Sequence, residues 1–342
     1  LNGSAALARR NAATVRGYGF GALALLALMV LGLGVGSRSV PPAEVLRALI
    51  AFDPNNDLHL IVRSLRVPRC LLAVTAGAGL GLAGGVMQAL TRNPLAEPGL
   101  LGVNAGAALA VVLGAMAFGL TDVTQYVWFG LMGAGLAGVA VLLLGRAHES
   151  GTDPIRLVLA GAGLSITLGA AASLIILNSG LEVLDLFRNW GAGVLEGRGM
   201  TATWVMAVAL MLGGGLALML APSLDALALG RDIGRTLGLD PRLIWGLACL
   251  CVMILSGAGT ATAGPIAFVG LAAPHAARAI AGPGNRNLLP LSALFAAIML
   301  LAADVLGRVV VAPEEIAAGI VAAMLGGPFF VHLVRRFRLA QL

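Results

Sequence analysis

Stretches of about 20 apolar residues, the length that crosses a bilayer as an α-helix, recur from one end of this chain to the other. They fall near 18–36, 70–90, 98–120, 124–145, 155–178, 202–222, 241–262, 265–282, 287–311 and 315–335. No other feature narrows the fold as far. Charged residues make up only 11% of the 342 positions, too few to cover a water-soluble surface of that size, whereas lipid accepts an apolar exterior. The expectation is an all-α membrane protein with about ten transmembrane helices. The soluble loops are short, so residues 1–342 read as one membrane domain. The first window follows Arg9, Arg10 and Arg16 and has the look of a signal peptide. The Gly34–Ser37 stretch offers no convincing cleavage site, so it is kept as a membrane helix.

The basic residues exclude whole classes of chemistry. All of them are arginine; the chain has no lysine. A Walker-type phosphate loop needs its lysine, as does Schiff-base catalysis, so any ATP that drives this protein must be bound by another subunit. The net charge of +6 is not gathered into a basic run with interleaved aromatics, so nucleic acid is not an expected partner. Cys70, Cys249 and Cys251 lie in or beside apolar stretches and read as small hydrophobes. His148-Glu149 lacks the second histidine of a zinc motif. No metal site, no catalytic residue and no bound cofactor is expected. Membrane lipid is the obvious surrounding partner.

Arginine also sets orientation. Placing the N-terminus in the cytoplasm puts Arg9, Arg10, Arg16, Arg231, Arg235, Arg242 and Arg335 inside with others, which favours both termini inside. Yet Arg63, Arg66, Arg69, Arg188, Arg198 and Arg308 then lie outside, more than the rule prefers. Glycine supplies the packing signal: Gly77, Gly81 and Gly85, and again Gly161, Ser165 and Gly169, form small-residue ridges that let helices approach closely in lipid. Two loops stand out. Residues 181–199 suit an interfacial helix with Trp190 as its anchor. Residues 224–240 mix leucine with small and charged residues, and Gly230, Gly234 and Gly238 are expected to break them into short helices.

The run Arg66–Ala107 (RVPRCLLAVTAGAGLGLAGGVMQALTRNPLAEPGLLGVNAGA) closely resembles the signature of the FecCD-type permeases of iron-siderophore and cobalamin ABC importers. Gly264–Arg278 (GPIAFVGLAAPHAAR), Leu288–Pro290, Ala303–Arg308 (ADVLGR) and the closing GGPFF at Gly326–Phe330 agree in order and spacing. The resemblance implies a ten-helix, type II importer bundle in the bacterial inner membrane. It also implies partners. Two copies of an ATPase subunit, which uses ATP and magnesium, sit below. A periplasmic or lipid-anchored substrate-binding protein docks above. A second permease chain stands beside, with a heterodimer the expected arrangement and a homodimer the alternative.

Carried over residue by residue, the resemblance makes Arg66, Arg69 and Arg308 receivers of glutamates from the binding protein. The alternatives are headgroup snorkelling for Arg66 and Arg69 and an i,i+4 pair with Asp304 for Arg308. Ala228, Leu229, Gly230, Arg235, Leu237 and Gly238 fall where the family couples to its ATPase. Asn93, Pro94 and Leu95 match a cytoplasmic gate, the alternative being an ordinary capped turn. Thr152–Arg156, where the family has a second gate, departs from the family form, and no residue is carried over. His275, after Pro274, reads as a packed histidine on a kinked helix.

The expected function is therefore ATP-driven import of a ferric siderophore. The chain is more similar to catecholate (ferric-enterobactin) permeases than to cobalamin ones, with a heme or cobalamin importer the alternative within the family. An ion-coupled secondary transporter would place charges in broken helices at the membrane midplane, and no such cluster is evident in the sequence.

Overall fold

The computed structural model describes residues 2–145 and 154–339, which are helical with no strand among them. Arg146, His148, Glu149, Thr152 and Asp153 lie outside the described residues. The elements are α1 (Asn2–Gly34), α2 (Pro42–Ile50), α3 (Asp57–Leu60), a π-helical turn at Ile61–Arg66, α4 (Val67–Thr91), and a 3-10 turn at Pro98–Leu101. They continue as α5 (Val103–Phe118), α6 (Val123–Leu144), α7 (Pro154–Leu177), α8 (Leu181–Gly191) and α9 (Gly199–Ala228). Last come α10 (Arg231–Thr236), α11 (Pro241–Ala263), α12 (Val269–Ala281), α13 (Asn285–Val309) and α14 (Ala318–Leu339).

Among the described residues, 8 helices are long and apolar enough to cross a membrane: α1, the continuous α3–α4 rod, α6, α7, α9, α11, α13 and α14. The two remaining windows hold α5, with 16 residues, and α12, with 13. At 1.5 Å per residue these reach only about 24 and 20 Å, short of a hydrocarbon core of about 30 Å. Each is cut off on its N-terminal side by a left-handed residue, Gly102 (φ 70°) before α5 and Phe268 (φ 66°) before α12. Each is preceded by irregular backbone, residues 92–102 with their 3-10 turn and residues 264–268. Such backbone is tolerated at membrane depth only inside protein or against a water-filled cavity.

The bundle is organised around α4, buried nearly all round by α13, α9, α11 and α12. The Gly77–Gly81–Gly85 ridge makes this possible: a β-carbon on Gly77 would lie 2.6 Å from Ala296 O, and one on Gly85 2.6 Å from the Leu289 side chain. The second ridge is used only in part. Gly161 lies against the Leu100 carbonyl, but a β-carbon on Gly169 would meet nothing. Large apolar side chains such as Phe20, Leu136, Ile166 and Met219 point outward. In water they would form an aggregating surface; in lipid they are solvated.

Two loop expectations need correction. Residues 181–191 do form an amphipathic helix, but Trp190 is 1% exposed and packs beside Phe187 with ring centroids 6.2 Å apart. It is a core residue, because the apolar face of α8 turns onto α5 and α7 rather than into the headgroups. In the 224–240 segment, Gly230 (φ 135°) and Gly238 (φ 79°) interrupt the chain, but Gly234 does not. It lies within α10, where a β-carbon would come within 2.7 Å of the Leu227 side chain, so its absence lets the helix pack there.

Candidate functional site

Three groups of residues converge at the two ends of the bundle. At the end where α4 begins and α13 finishes, Arg69 Nε donates to Asp304 Oδ1 (2.9 Å) and Arg69 Nη1 to Glu315 Oε2 (2.7 Å). Glu196 lies 3.7 Å from the same Nη1. Asp304, 0% exposed, also accepts from Arg308 Nη2, and Arg308 Nη1 donates to Gly32 O at 2.8 Å. Arg66, at the end of the π-helical turn, donates to Leu33 O (2.8 Å) and Arg38 O. One carboxylate thus sits between two guanidiniums and ties α1, α4 and α13 together. Low dielectric strengthens such a network while making each member costly to leave unpaired.

Arg66, Arg69 and Arg308 are accordingly brought together, but all three are buried and bonded within the chain. Arg308 makes the i,i+4 pair with Asp304. Arginines that face outward here include Arg38, Arg47 and Arg63, the last lying over the Phe52 ring at 4.8 Å. Arg198 is also buried, donating to Val194 O (2.8 Å) and the Tyr126 hydroxyl.

At the opposite end, the last turn of α9 and helix α10 project an apolar surface. Leu229 is 70% and Leu237 63% exposed, and Ala228, Ile233, Arg235 and Gly238 stand beside them, exposed as well. Gly230 allows the sharp turn between the two helices. Short exposed helices with protruding leucines are suited to entering a groove on a partner.

The Asn93–Leu95 turn lies next to this surface. Arg92 ends α4 in the left-handed conformation (φ 51°), and Asn93 Oδ1 accepts from the Leu95 amide at 2.9 Å. This is a capped turn, with Leu95 half-buried. Arg92 Nη2 donates to Leu227 O, one residue before Ala228. A cavity of about 440 Å³ is lined by Gln88, Arg92, Pro94, Ala228, His275 and Arg278 among others, so the Asn93–Leu95 turn and the end of α9 share one space. His275 packs edge-on against Phe329, ring centroids 5.8 Å apart.

Two residues here are not among the candidates that the sequence offers. The Arg92 bond to Leu227 spans 135 residues and has no local signature. Glu97 Oε1 accepts the Phe268 amide at 3.1 Å, across 171 residues. The signal available was the pair Pro94 and Pro98 in a stretch too apolar for a water-exposed loop.

Residues 24–336 match the FecCD transport family. The ferric enterobactin transport system permease protein FepD of Escherichia coli (strain K12) is 39% identical over 92% of this chain and 93% of its own. The Fe(3+)-citrate import system permease protein YfmD of Bacillus subtilis (strain 168) is also 39% identical, over 92% and 93%. A solved structure described as an inward-facing, metal-chelate type ABC transporter superposes with a TM-score of 0.77 at 28% identity, covering 92% of this chain and 97% of that one. With the matched region running from α1 to α14, the chain belongs to the FecCD transport family, and its helices form the bundle of an ABC importer permease.

Proposed function

We propose that this chain is the permease subunit of an ATP-driven importer that moves a ferric siderophore across the bacterial inner membrane into the cytoplasm. The observation that carries the mechanism is the Arg92 bond to Leu227 O, which joins the gate turn to the coupling surface. A partner ATPase that grips α10 through Leu229, Ile233 and Leu237 would, on binding ATP and magnesium, shift the end of α9. Arg92 passes that shift to Asn93, Pro94 and Leu95. Leu95 then opens or closes an apolar constriction. This chain supplies motion and a path, and the ATPase supplies hydrolysis.

The orientation we propose puts the coupling surface and both termini in the cytoplasm and the Arg69–Asp304–Arg308 network outside. There a binding protein docks by carboxylate–guanidinium pairing. Arg66 and Arg308 are committed to backbone carbonyls and Asp304, so Arg69 is the position an incoming carboxylate can reach, by replacing Glu315 or Glu196. A second, related permease chain and two ATPase subunits complete the complex.

FepD is named for ferric enterobactin and YfmD for Fe(3+)-citrate, at equal identity. This supports a ferric chelate as the class, with a catecholate of the enterobactin kind as the substrate we propose first. The test is reconstitution with ATPase and binding protein in proteoliposomes. Uptake should need ATP and resist an uncoupler; uptake without the ATPase that an uncoupler abolishes would overturn the reading. A ligand screen on the binding protein, catecholate against citrate, heme and cobalamin, assigns the chelate.

A further inference from the structure

The two irregular segments of the bundle meet. A β-carbon on Gly84 would overlap the Gly270 carbonyl, and one on Gly270 would come within 2.9 Å of Leu80 O and 3.2 Å of Pro98 Cδ. Pro98 and Gly270 therefore lie level with Leu80–Gly84 of α4. These residues stand 7 to 11 positions before its end at Thr91, which is about 10–16 Å along the helix axis. Counted from a membrane boundary at Thr91, that is inside a hydrocarbon core of about 30 Å. Glu97 and Phe268, the neighbours of this contact, bond across it: the carboxylate Oε1 accepts the amide of a residue held at φ 66°. A carboxyl at that depth needs a reason for being there.

The geometry on either side supplies one. On its N-terminal side, Glu97 follows directly on the Asn93–Leu95 turn, closed by Ala96 N to Asn93 O at 3.1 Å. On the other side, Phe268 starts α12, whose first turn is also held by Gln88 Nε2 to Leu271 O at 3.3 Å, while Arg278 in its last turn reaches Gln88 Oε1 at 3.1 Å. Phe268 further touches α14, with the Phe330 ring centroid 6.1 Å away. The half-helix α12 is thus fastened to α4 by one glutamine and to the gate turn by one carboxylate. The carboxylate bond bridges the two irregular segments.

We infer that Glu97 is a positioning residue of the transport cycle: its bond to the Phe268 amide latches the gate turn to α12 in the resting state and breaks when the cytoplasmic gate moves. This rests on the gate reading above and adds the residue that holds the gate in register. Two substitutions separate the latch from bulk packing. Glu97→Gln keeps an acceptor of the same reach; Glu97→Leu removes it at similar size.

In the assembled transporter, a cysteine introduced at Leu95 reports access to a membrane-impermeant thiol reagent from the cytoplasmic side. Without ATP, labelling should rise at least fivefold in Glu97→Leu and stay within twofold of wild type in Glu97→Gln. Equal labelling in all three overturns the latch. Wild-type protein gives the decisive reading should the leucine variant not assemble. Hydrogen exchange across 267–272 should speed up severalfold when the complex binds ATP, and unchanged protection there overturns the proposal. Uptake measured on the same wild-type vesicles tests the import reading separately. Loss of ATP-driven uptake with the exchange response intact indicts the function, and the converse indicts the latch.

Discussion

Asp304 shows how much one side chain can hold. It has no exposure and two guanidinium partners from different helices. Asp304→Asn would leave Arg69 and Arg308 sharing a neutral acceptor, and removing one partner of a buried ion pair costs about 3–5 kcal/mol. The unfolding temperature of the purified protein in detergent should fall by several degrees; an unchanged value would mean the network is solvated in the membrane. Glu315 plays a different part, since it competes for the Arg69 edge nearest the surface. On the docking reading, Glu315→Gln frees that edge and should tighten binding-protein affinity severalfold at low salt. Weaker or equal affinity would move docking to Arg38 and Arg63. Arg66→Glu and Arg69→Glu are poorer tests, because they would place a carboxylate in a buried site beside backbone carbonyls or Asp304.

Among the elements, α4 and α10 follow opposite rules. In α4, glycine is required by closeness, since the α13 and α12 backbones pass where side chains would be. In the α9–α10 corner it is required by conformation: at φ 135° a β-branched residue is excluded. Gly230→Val should therefore leave the bundle assembled but twist the surface we propose for coupling. The expected result is ATP hydrolysis by the complex retained within about threefold with uptake lost; normal uptake would place the coupling contact elsewhere. The resemblance located this segment, and the exposed Leu229 and Leu237 give it physical content. Gly234 was misread because a glycine that admits a neighbour and one that breaks a helix look alike in sequence.

The whole molecule has two ends of different character, one carrying buried charge and the other an exposed apolar ledge. Because Cys70, Cys249 and Cys251 are all buried, added cysteines can report sidedness with little background. Leu237→Cys should react with an impermeant reagent only from the cytoplasmic face, and Val310→Cys only from the exterior. The reverse pattern would invert the proposed orientation. The sidedness we propose is drawn from charge and helix count; the shortness of α5 and α12 cannot be. The α5 window is as apolar as the others, that of α12 carries His275 and Arg278, and only the left-handed Gly102 and Phe268 show where each helix is cut short.

The sequence by itself determined that this is a helical membrane bundle, where its spans fall, that it binds no ATP through a Walker loop, and which family it resembles. These depend on local length, composition and motif. The tertiary structure decided which polar groups meet: Arg69 with Asp304 across 235 residues, Arg92 with Leu227 across 135, and Phe268 with Glu97 across 171. The physical reason is the solvent. In water a helix marks its buried face with an apolar stripe, but in lipid both faces are apolar. Which side turns inward is then written only in small-residue contacts and in rare polar pairs. Those appear once the helices are packed.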